Sequence, residues 1–118
     1  MGAPVAWFEI TSHDPARLVA FYRELFDWTI TDGPEPGYSM VDTGAGDAAI
    51  GGGIGATQGA DDPGGVAVYM RVEDLQAYLD KVETLGGKAL VPPTDLPGGY
   101  GRFAMFADPD GHAVGLWS

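Results

Sequence analysis

The stretch GYGRFAMFADPDGHAVGL, residues 99–116, has a counterpart earlier in the chain, GYSMVDTGAGDAAIGG at residues 37–52. Each begins with Gly-Tyr, continues as a short apolar run, turns at a segment rich in Gly and Asp, and ends in a second short run. Short apolar runs separated by turn residues are typical of β-strands joined by tight connections. We therefore predict that the chain contains two copies of one structural unit.

One strand and one helix precede each of these stretches. The segments PVAWFEI at 4–10 and GGVAVYMRV at 64–72 have the alternation and β-branched content of strands. A helix at roughly 14–26 is predicted from Asp14-Pro15, an N-cap residue followed by proline at the first helical position. The segment DLQAYLDKVETLGG at 74–87 is its equivalent, ended by two glycines.

Both predicted helices carry an apolar stripe at helical spacing. The stripe residues are Leu18, Phe21, Tyr22 and Leu25 in the first helix, and Leu75, Tyr78, Leu79, Val82 and Leu85 in the second. With the short runs WTITDG and KALVPPT as further strands, each copy has the order βαβββ. The sequence thus predicts one α+β domain over 1–118, with repeat one at about 4–55, a Gly-rich linker at about 56–65 and repeat two at about 66–118.

The composition excludes several classes of partner. The formal net charge is -11, from 17 acidic and 6 basic residues, and such a chain repels nucleic acid and anionic membrane surfaces. No run approaches the ~20 apolar residues of a membrane helix, and the first residues do not have the pattern of a signal peptide. The absence of cysteine excludes disulfides and thiolate metal ligands. We expect a cytoplasmic protein that binds neither nucleic acid nor membranes.

The order of the elements is similar to that of the vicinal oxygen chelate superfamily, which includes glyoxalase I, bleomycin-resistance proteins and extradiol dioxygenases. The residues that carry the resemblance are the D-x6-FY opening of the first helix, from Asp14 to Phe21-Tyr22, and the DPDG turn at 108–111. The resemblance covers nearly the whole chain. It implies a curved eight-stranded mixed sheet made of two half-barrels, with both helices on the convex face and the ligand on the concave face. It also implies a homodimer, because related single-domain members often dimerise.

The resemblance further implies where a metal would bind. Metal-binding members carry ligands in the first and last strands of each repeat, and those positions fall here on Trp7, Gly51, Ala67 and Gly115. None of these side chains offers the oxygen or imidazole donors that divalent metals require. We therefore predict no metal and no cofactor. His112, at the edge of the DPDG turn, is interpreted as a turn residue, and Asp108 and Asp110 are expected to shape that turn.

Strand parity predicts which residues line the ligand-binding face. Alternate residues of a strand lie on one face, so Trp7 and Glu9 share a face of the first strand, and Tyr69 and Arg71 share the equivalent face in repeat two. Trp117 lies two residues after Gly115 in the last strand and therefore shares its face. A carboxylate in an aromatic cleft suits a general base and also suits a partner for a ligand amine. Alternatively, Glu9 is a structural group that bonds Tyr69 or Arg71.

Three functions remain open from the sequence. The first is a metal-free binding domain whose aromatic, acidic cleft holds a small organic molecule, with cations among the candidates, as bleomycin-resistance proteins do. The second is a glyoxalase-like isomerase, lyase or dioxygenase, which either recruits a metal through other residues or uses Glu9 as a general base. The third is a partner or regulatory module that no longer uses its cleft.

Overall fold

The computed structural model describes residues 2–118, which form eight β-strands and two α-helices in the order βαβββ twice. In the first copy the elements are β1 (Val5–Ser12), α1 (Pro15–Phe26), β2 (Thr29–Asp32), β3 (Ser39–Asp42) and β4 (Gly51–Ala56). In the second they are β5 (Gly65–Arg71), α2 (Leu75–Thr84), β6 (Lys88–Asp95), β7 (Arg102–Ala107) and β8 (Ala113–Trp117). The predicted α+β class and the tandem βαβββ order are confirmed.

The chain divides into two compact units. One comprises Trp7–Val66, and the other comprises Ala67–Ser118 together with residues 2–6. We refer to them as the first and second unit. Each holds a four-stranded mixed sheet, with the order β2-β3-β4-β1 in the first unit and β5-β8-β7-β6 in the second. In each unit the first and last strands pair in parallel, β1 with β4 and β5 with β8, and the other pairs are antiparallel.

The apolar face of each sheet packs into a core. In the first unit Ile54 is fully buried, and the core consists of Ile10, Ile30, Val41 and Ile54 with Phe8, Leu18, Val19, Tyr22 and Trp28 packed against them. In the second unit it consists of Val72, Leu75, Leu79, Ala104 and Leu116 with Met70 and Phe106. Because strand side chains alternate, this packing places Trp7 and Glu9 on the other face of β1, as parity predicts.

Both helices begin where the sequence predicts. The Asp14 side chain accepts a hydrogen bond from the Arg17 backbone N–H at 3.2 Å, and the Asp74 side chain accepts one from Ala77 at 3.0 Å. Each bond satisfies an N–H that the first helical turn otherwise leaves without a partner. The helix predicted at roughly 14–26 is therefore confirmed, with Asp14 as its N-cap.

The predicted apolar stripe of α1 is wrong in part. Phe21 and Leu25 are 53% and 56% exposed, whereas Val19, outside the predicted stripe, packs against the core. The side of the helix that faces the sheet is centred nearer Val19 and Tyr22, so Phe21 and Leu25 lie on its flank. In the second unit Leu85 lies just beyond the end of α2 and is 69% exposed.

The DPDG segment forms the turn that leads into β8. The Asp108 side chain accepts hydrogen bonds from the backbone N–H groups of Asp110 and His112 at 3.0 and 2.9 Å. The exposed His112 ring lies 3.0 Å from the second carboxylate oxygen of Asp108. The bond from the His112 backbone, with a smaller contribution from the His112 ring, lowers the pKa of Asp108. The prediction that Asp108 shapes this turn is confirmed.

Neither α1 nor α2 is long and apolar enough to cross a membrane, and no other helix in residues 2–118 is.

We predict that Gly115→Ala destabilises the protein. A methyl group at Gly115 would overlap the nearest atoms of the Tyr69 ring, and Tyr69 is only 7% exposed and is therefore held by its surroundings. We expect the free energy of unfolding in urea to fall by ~1–3 kcal/mol, the usual cost of overpacking. Gly2→Ala is the control, because nothing lies within 4 Å of the added methyl there. Equal stability of the two variants would contradict the packing described for Tyr69.

Candidate functional site

The site in the first unit is built on the parallel pair of strands β1 and β4. Trp7 lies opposite Gly51 and Glu9 lies opposite Gly53. Both side chains are partly buried and lie on the face of β1 away from the helix-packed core. Trp7 and Glu9 therefore share a strand face, as the alternation of the first strand predicts.

Three glycines on β4 leave room for aromatic rings on that face. A Cβ atom on Gly51 would lie 2.9 Å from the Trp7 ring, and one on Gly55 would lie 2.7 Å from the Tyr38 ring. A Cβ atom on Gly53 would overlap the hydroxyl group of Tyr38. Because real Cβ atoms do not approach so closely, glycine at 51, 53 and 55 is what lets Trp7 and Tyr38 cover the strand.

Tyr38 links Trp7 to Glu9. The Trp7 indole Nε1–H donates to the Tyr38 hydroxyl oxygen at 3.3 Å, and the Tyr38 hydroxyl donates to Glu9 Oε2 at 3.0 Å. We call these three residues the Trp7–Tyr38–Glu9 network. Sequence reasoning missed Tyr38, because it precedes β3 in a Gly- and Pro-rich loop. The available signal was that one face of the GGGIG strand, at 51, 53 and 55, holds only glycine, which indicates that a large side chain covers that face.

The phenol of Tyr38 is held in its neutral form. Burial, together with the nearby charge of Glu9, raises the pKa of the Tyr38 hydroxyl well above its ordinary value. Both effects act in the same direction, since a phenolate would lose its hydration and would also face a carboxylate. Tyr38 is therefore a hydrogen-bond donor throughout the physiological pH range.

The second unit presents the other predicted residues. Tyr69 lies opposite Gly115 with its ring over that glycine, and its hydroxyl donates to the Met105 sulfur at 3.8 Å. The Arg71 guanidinium lies 4.7 Å from the centre of the Trp117 ring, which is cation–π geometry. The Trp117 indole N–H donates to the Tyr100 carbonyl oxygen at 2.7 Å. Arg71 and Trp117 thus form a stacked pair, and Tyr69 shares the strand face of Arg71.

The donor set does not fit the metal of the superfamily. The positions matched to its ligands hold Trp7, Gly51, Ala67 and Gly115, and no group of three or more His, Asp or Glu side chains within residues 2–118 is arranged to hold an ion. The strand register corrects one of these assignments. Glu9 and Tyr69 are equivalent positions of the two repeats. Gly53 lies opposite Glu9 and Gly115 lies opposite Tyr69, so Gly53, and not Gly51, is the equivalent of Gly115 in the strand register.

Two open clefts lie beside these residues. In the first unit, a cleft of about 610 Å³ between the start of α1 and the loop at 32–39 is lined in part by Tyr38. In the second unit, a cleft of about 550 Å³ is lined by Pro4, Arg71, Val72, Glu73 and Ser118. Neither cleft is lined by Trp7 or Glu9. The hydrogen bonds of the Trp7–Tyr38–Glu9 network, and not an enclosed cavity, therefore define the candidate site.

Comparison with known proteins identifies the relatives of this chain. It is 36% identical to "Anthracycline biosynthesis protein DnrV" of Streptomyces peucetius, over 98% of this chain and 46% of that protein. It is 38% identical to "Putative glyoxylase CFP32" of Mycobacterium tuberculosis, over 94% of this chain and 44% of that protein. The chain thus spans about half the length of the curated relatives it matches.

The fold is also found among solved structures. The crystal structure of the Mn(II)-bound glyoxalase from Novosphingobium aromaticivorans superposes with a TM-score of 0.69 at 15% identity, over 95% of this chain and 36% of that one. A family model matches residues 5–116, which is nearly the whole chain. This chain therefore belongs to the Glyoxalase/Bleomycin resistance protein/Dioxygenase superfamily.

Proposed function

We propose that this chain binds a small aromatic molecule without a metal, on the strand face that carries Trp7, Glu9 and Tyr38. The Trp7–Tyr38–Glu9 network is the observation that carries the proposal, because it places a carboxylate beside two aromatic rings on a partly accessible surface. Sites for small organic molecules combine apolar and aromatic area with a few oriented polar groups. The network has this composition.

The chemistry of the network favours a ligand with a positive charge. Glu9 supplies a negative charge, and the ring of Trp7 supplies a surface on which a planar ligand can stack. Anthracyclines that carry an amino sugar combine these two properties, and one relative is named for anthracycline biosynthesis. An anthracycline is therefore our first candidate ligand.

Catalysis without a metal is the second candidate function. Glu9 accepts a hydrogen bond from a neutral phenol, an arrangement that holds a carboxylate in one orientation, as a general base requires. The relative named as a glyoxylase favours this alternative. In both cases Glu9 carries the function, so the same substitution can separate them.

We predict that Trp7 and Glu9 variants weaken binding of daunorubicin, an anthracycline with an amino sugar whose fluorescence reports binding. Trp7→Ala removes the stacking surface and should weaken binding about tenfold or more, while Trp7→Phe should retain most of the affinity. Glu9→Gln removes a charge-assisted contact and should cost ~1.5–3 kcal/mol, or about 10- to 150-fold in Kd. Glu24→Gln, on the exposed side of α1, is the matched control for charge.

A different outcome would identify the enzymatic alternative. If Glu9 is a general base, Glu9→Gln should leave binding unchanged and reduce turnover in a glyoxalase assay by ~100-fold or more. Circular dichroism would first establish that each variant is folded. If daunorubicin binds with the same affinity to the parent chain, Trp7→Ala and Glu9→Gln, this face is not its binding site.

We also propose that two copies of the chain associate through α1. Phe21, Leu25 and Phe26 are each more than half exposed, an unusual amount of apolar surface for one helix. The same helix holds Arg17 and Arg23 and one acidic residue, Glu24, so it lacks the negative charge that dominates a chain with net charge -11. A second copy therefore meets little electrostatic repulsion at α1.

We predict that native mass spectrometry detects a dimer whose mass includes no transition metal. Replacing Phe21 and Leu25 together by serine should convert the dimer to a monomer, because the apolar contact is lost. Leu85→Ser, which changes an exposed leucine beyond the end of α2, should leave the dimer intact. A monomeric parent chain would contradict the dimer, and one tightly held metal ion per chain would contradict the metal-free site.

A further inference from the structure

Arg71 is held in place by its neighbours in the second unit. Its backbone N–H donates to the Pro4 carbonyl oxygen at 2.9 Å, and the N–H of the next residue, Val72, donates to the Trp117 carbonyl oxygen at 2.9 Å. Arg71 lies opposite Trp117 in the pairing of β5 with β8. The Trp117 ring is fixed in turn, because its indole N–H donates to the Tyr100 carbonyl oxygen. The backbone of Arg71 and the ring beneath its side chain are therefore both anchored by the fold.

The guanidinium of Arg71 keeps its hydrogen-bonding capacity. Its carbon atom lies 4.7 Å from the centre of the Trp117 ring, and a cation–π contact uses no oxygen acceptor. Within residues 2–118, no oxygen atom accepts a hydrogen bond from this guanidinium, and no carboxylate lies within ion-pair distance of it. By contrast, the Arg102 guanidinium donates to Asp95 at 2.9 Å. The five N–H donors of Arg71 are thus oriented by an aromatic ring and remain able to bind a ligand.

The cleft of about 550 Å³ in the second unit lies at this guanidinium. Besides Arg71, its lining consists of the apolar side chains of Pro4 and Val72, together with Glu73 and Ser118. Its volume lies within the range of sites for small organic molecules, which combine apolar area with a few oriented polar groups. A cation beside apolar side chains suits an anion that carries an apolar body.

We propose that this cleft binds a small organic carboxylate through a bidentate salt bridge to Arg71. A guanidinium matches the planar geometry of a carboxylate through two parallel N–H···O bonds, which a lysine ammonium cannot form. The Glu73 carboxylate lines the same cleft, and its charge repels a dianion such as phosphate more strongly than a monoanion. The apolar body of the ligand contacts Pro4 and Val72. This site is additional to the one proposed at Trp7 and Glu9.

Titration with benzoate at pH 7 tests the proposal, with the backbone N–H signals of Val72 and Glu73 as the NMR readout. We expect saturable shifts with a Kd in the millimolar range, on the order of 1 mM, for the parent chain. Benzamide has the same shape without the charge and should bind about tenfold more weakly or worse. Inorganic phosphate should bind about fivefold more weakly or worse, because it meets the charge of Glu73 and gains no apolar contact.

Variants separate recognition by a guanidinium from a general effect of charge. Arg71→Gln should weaken benzoate binding about tenfold or more, and Arg71→Lys about threefold or more, because lysine keeps the charge but not the bidentate geometry. Lys88→Gln removes one positive charge from an exposed position of β6 in the same unit and should leave the affinity unchanged. Circular dichroism would first establish that each variant is folded.

Several results would overturn the proposal. The parent chain would show no saturable shift up to ~50 mM benzoate, or it would bind phosphate as tightly as benzoate. Arg71→Gln or Arg71→Lys would bind benzoate as tightly as the parent chain, or Lys88→Gln would lose as much affinity as Arg71→Gln. The daunorubicin measurements on Trp7 and Glu9 variants are separate from these, so either proposal can fail while the other stands.

Discussion

The glycines of the last strand in each unit are the constraint on which the rest of the site depends. A side chain at Gly53 would overlap the Tyr38 hydroxyl, and one at Gly115 would overlap the Tyr69 ring. Strand glycine is otherwise unfavourable, because it has no side chain to pack and loses more entropy on folding. Here it leaves the strand face open to aromatic rings, and in the first unit the Tyr38 ring brings a phenol to the Glu9 carboxylate.

The side chains on this strand face differ from those of a metal site, although a Mn(II)-bound glyoxalase has the same fold. A divalent ion needs several oxygen or nitrogen donors that converge on one point, and Trp7 and glycine supply none. The first-unit face instead carries the aromatic rings of Trp7 and Tyr38 and the Glu9 carboxylate, joined by hydrogen bonds. Glu9 is the carboxylate of the Trp7–Tyr38–Glu9 network, and the proposed function assigns it the polar contact to an organic ligand.

Local signals predicted most of the fold. Caps, turns and alternation predict the helix starts at Asp14 and Asp74, the order of helices and strands along the chain, and the shared face of Trp7 and Glu9. The exposure of Phe21 was not predictable in this way, because helical periodicity does not fix which side of a broad apolar surface faces the sheet.

The candidate site was predicted less completely than the fold. Parity identified Trp7 and Glu9, but their partner Tyr38 comes from a loop whose position depends on contacts distant in sequence. The equivalence of Gly53 and Gly115 likewise required the strand register, which a sequence pattern specifies only to within a residue or two. Tertiary contacts, and not local preferences, determine both features.

Titration of Tyr38 in the folded chain tests the network most directly. With tyrosine carrying carbon-13 at Cζ, the signal missing from Tyr38→Phe reports the ionisation of this phenol. Because the pKa of Tyr38 is raised in the folded chain, its contribution to stability is complete below the unfolded value of about 10 and is lost as the pH rises beyond it. We predict that the signal remains that of a neutral phenol when the pH passes 10, with circular dichroism still that of the folded protein. Half-ionisation of folded Tyr38 near pH 10 would contradict a partly buried hydroxyl bonded to Glu9.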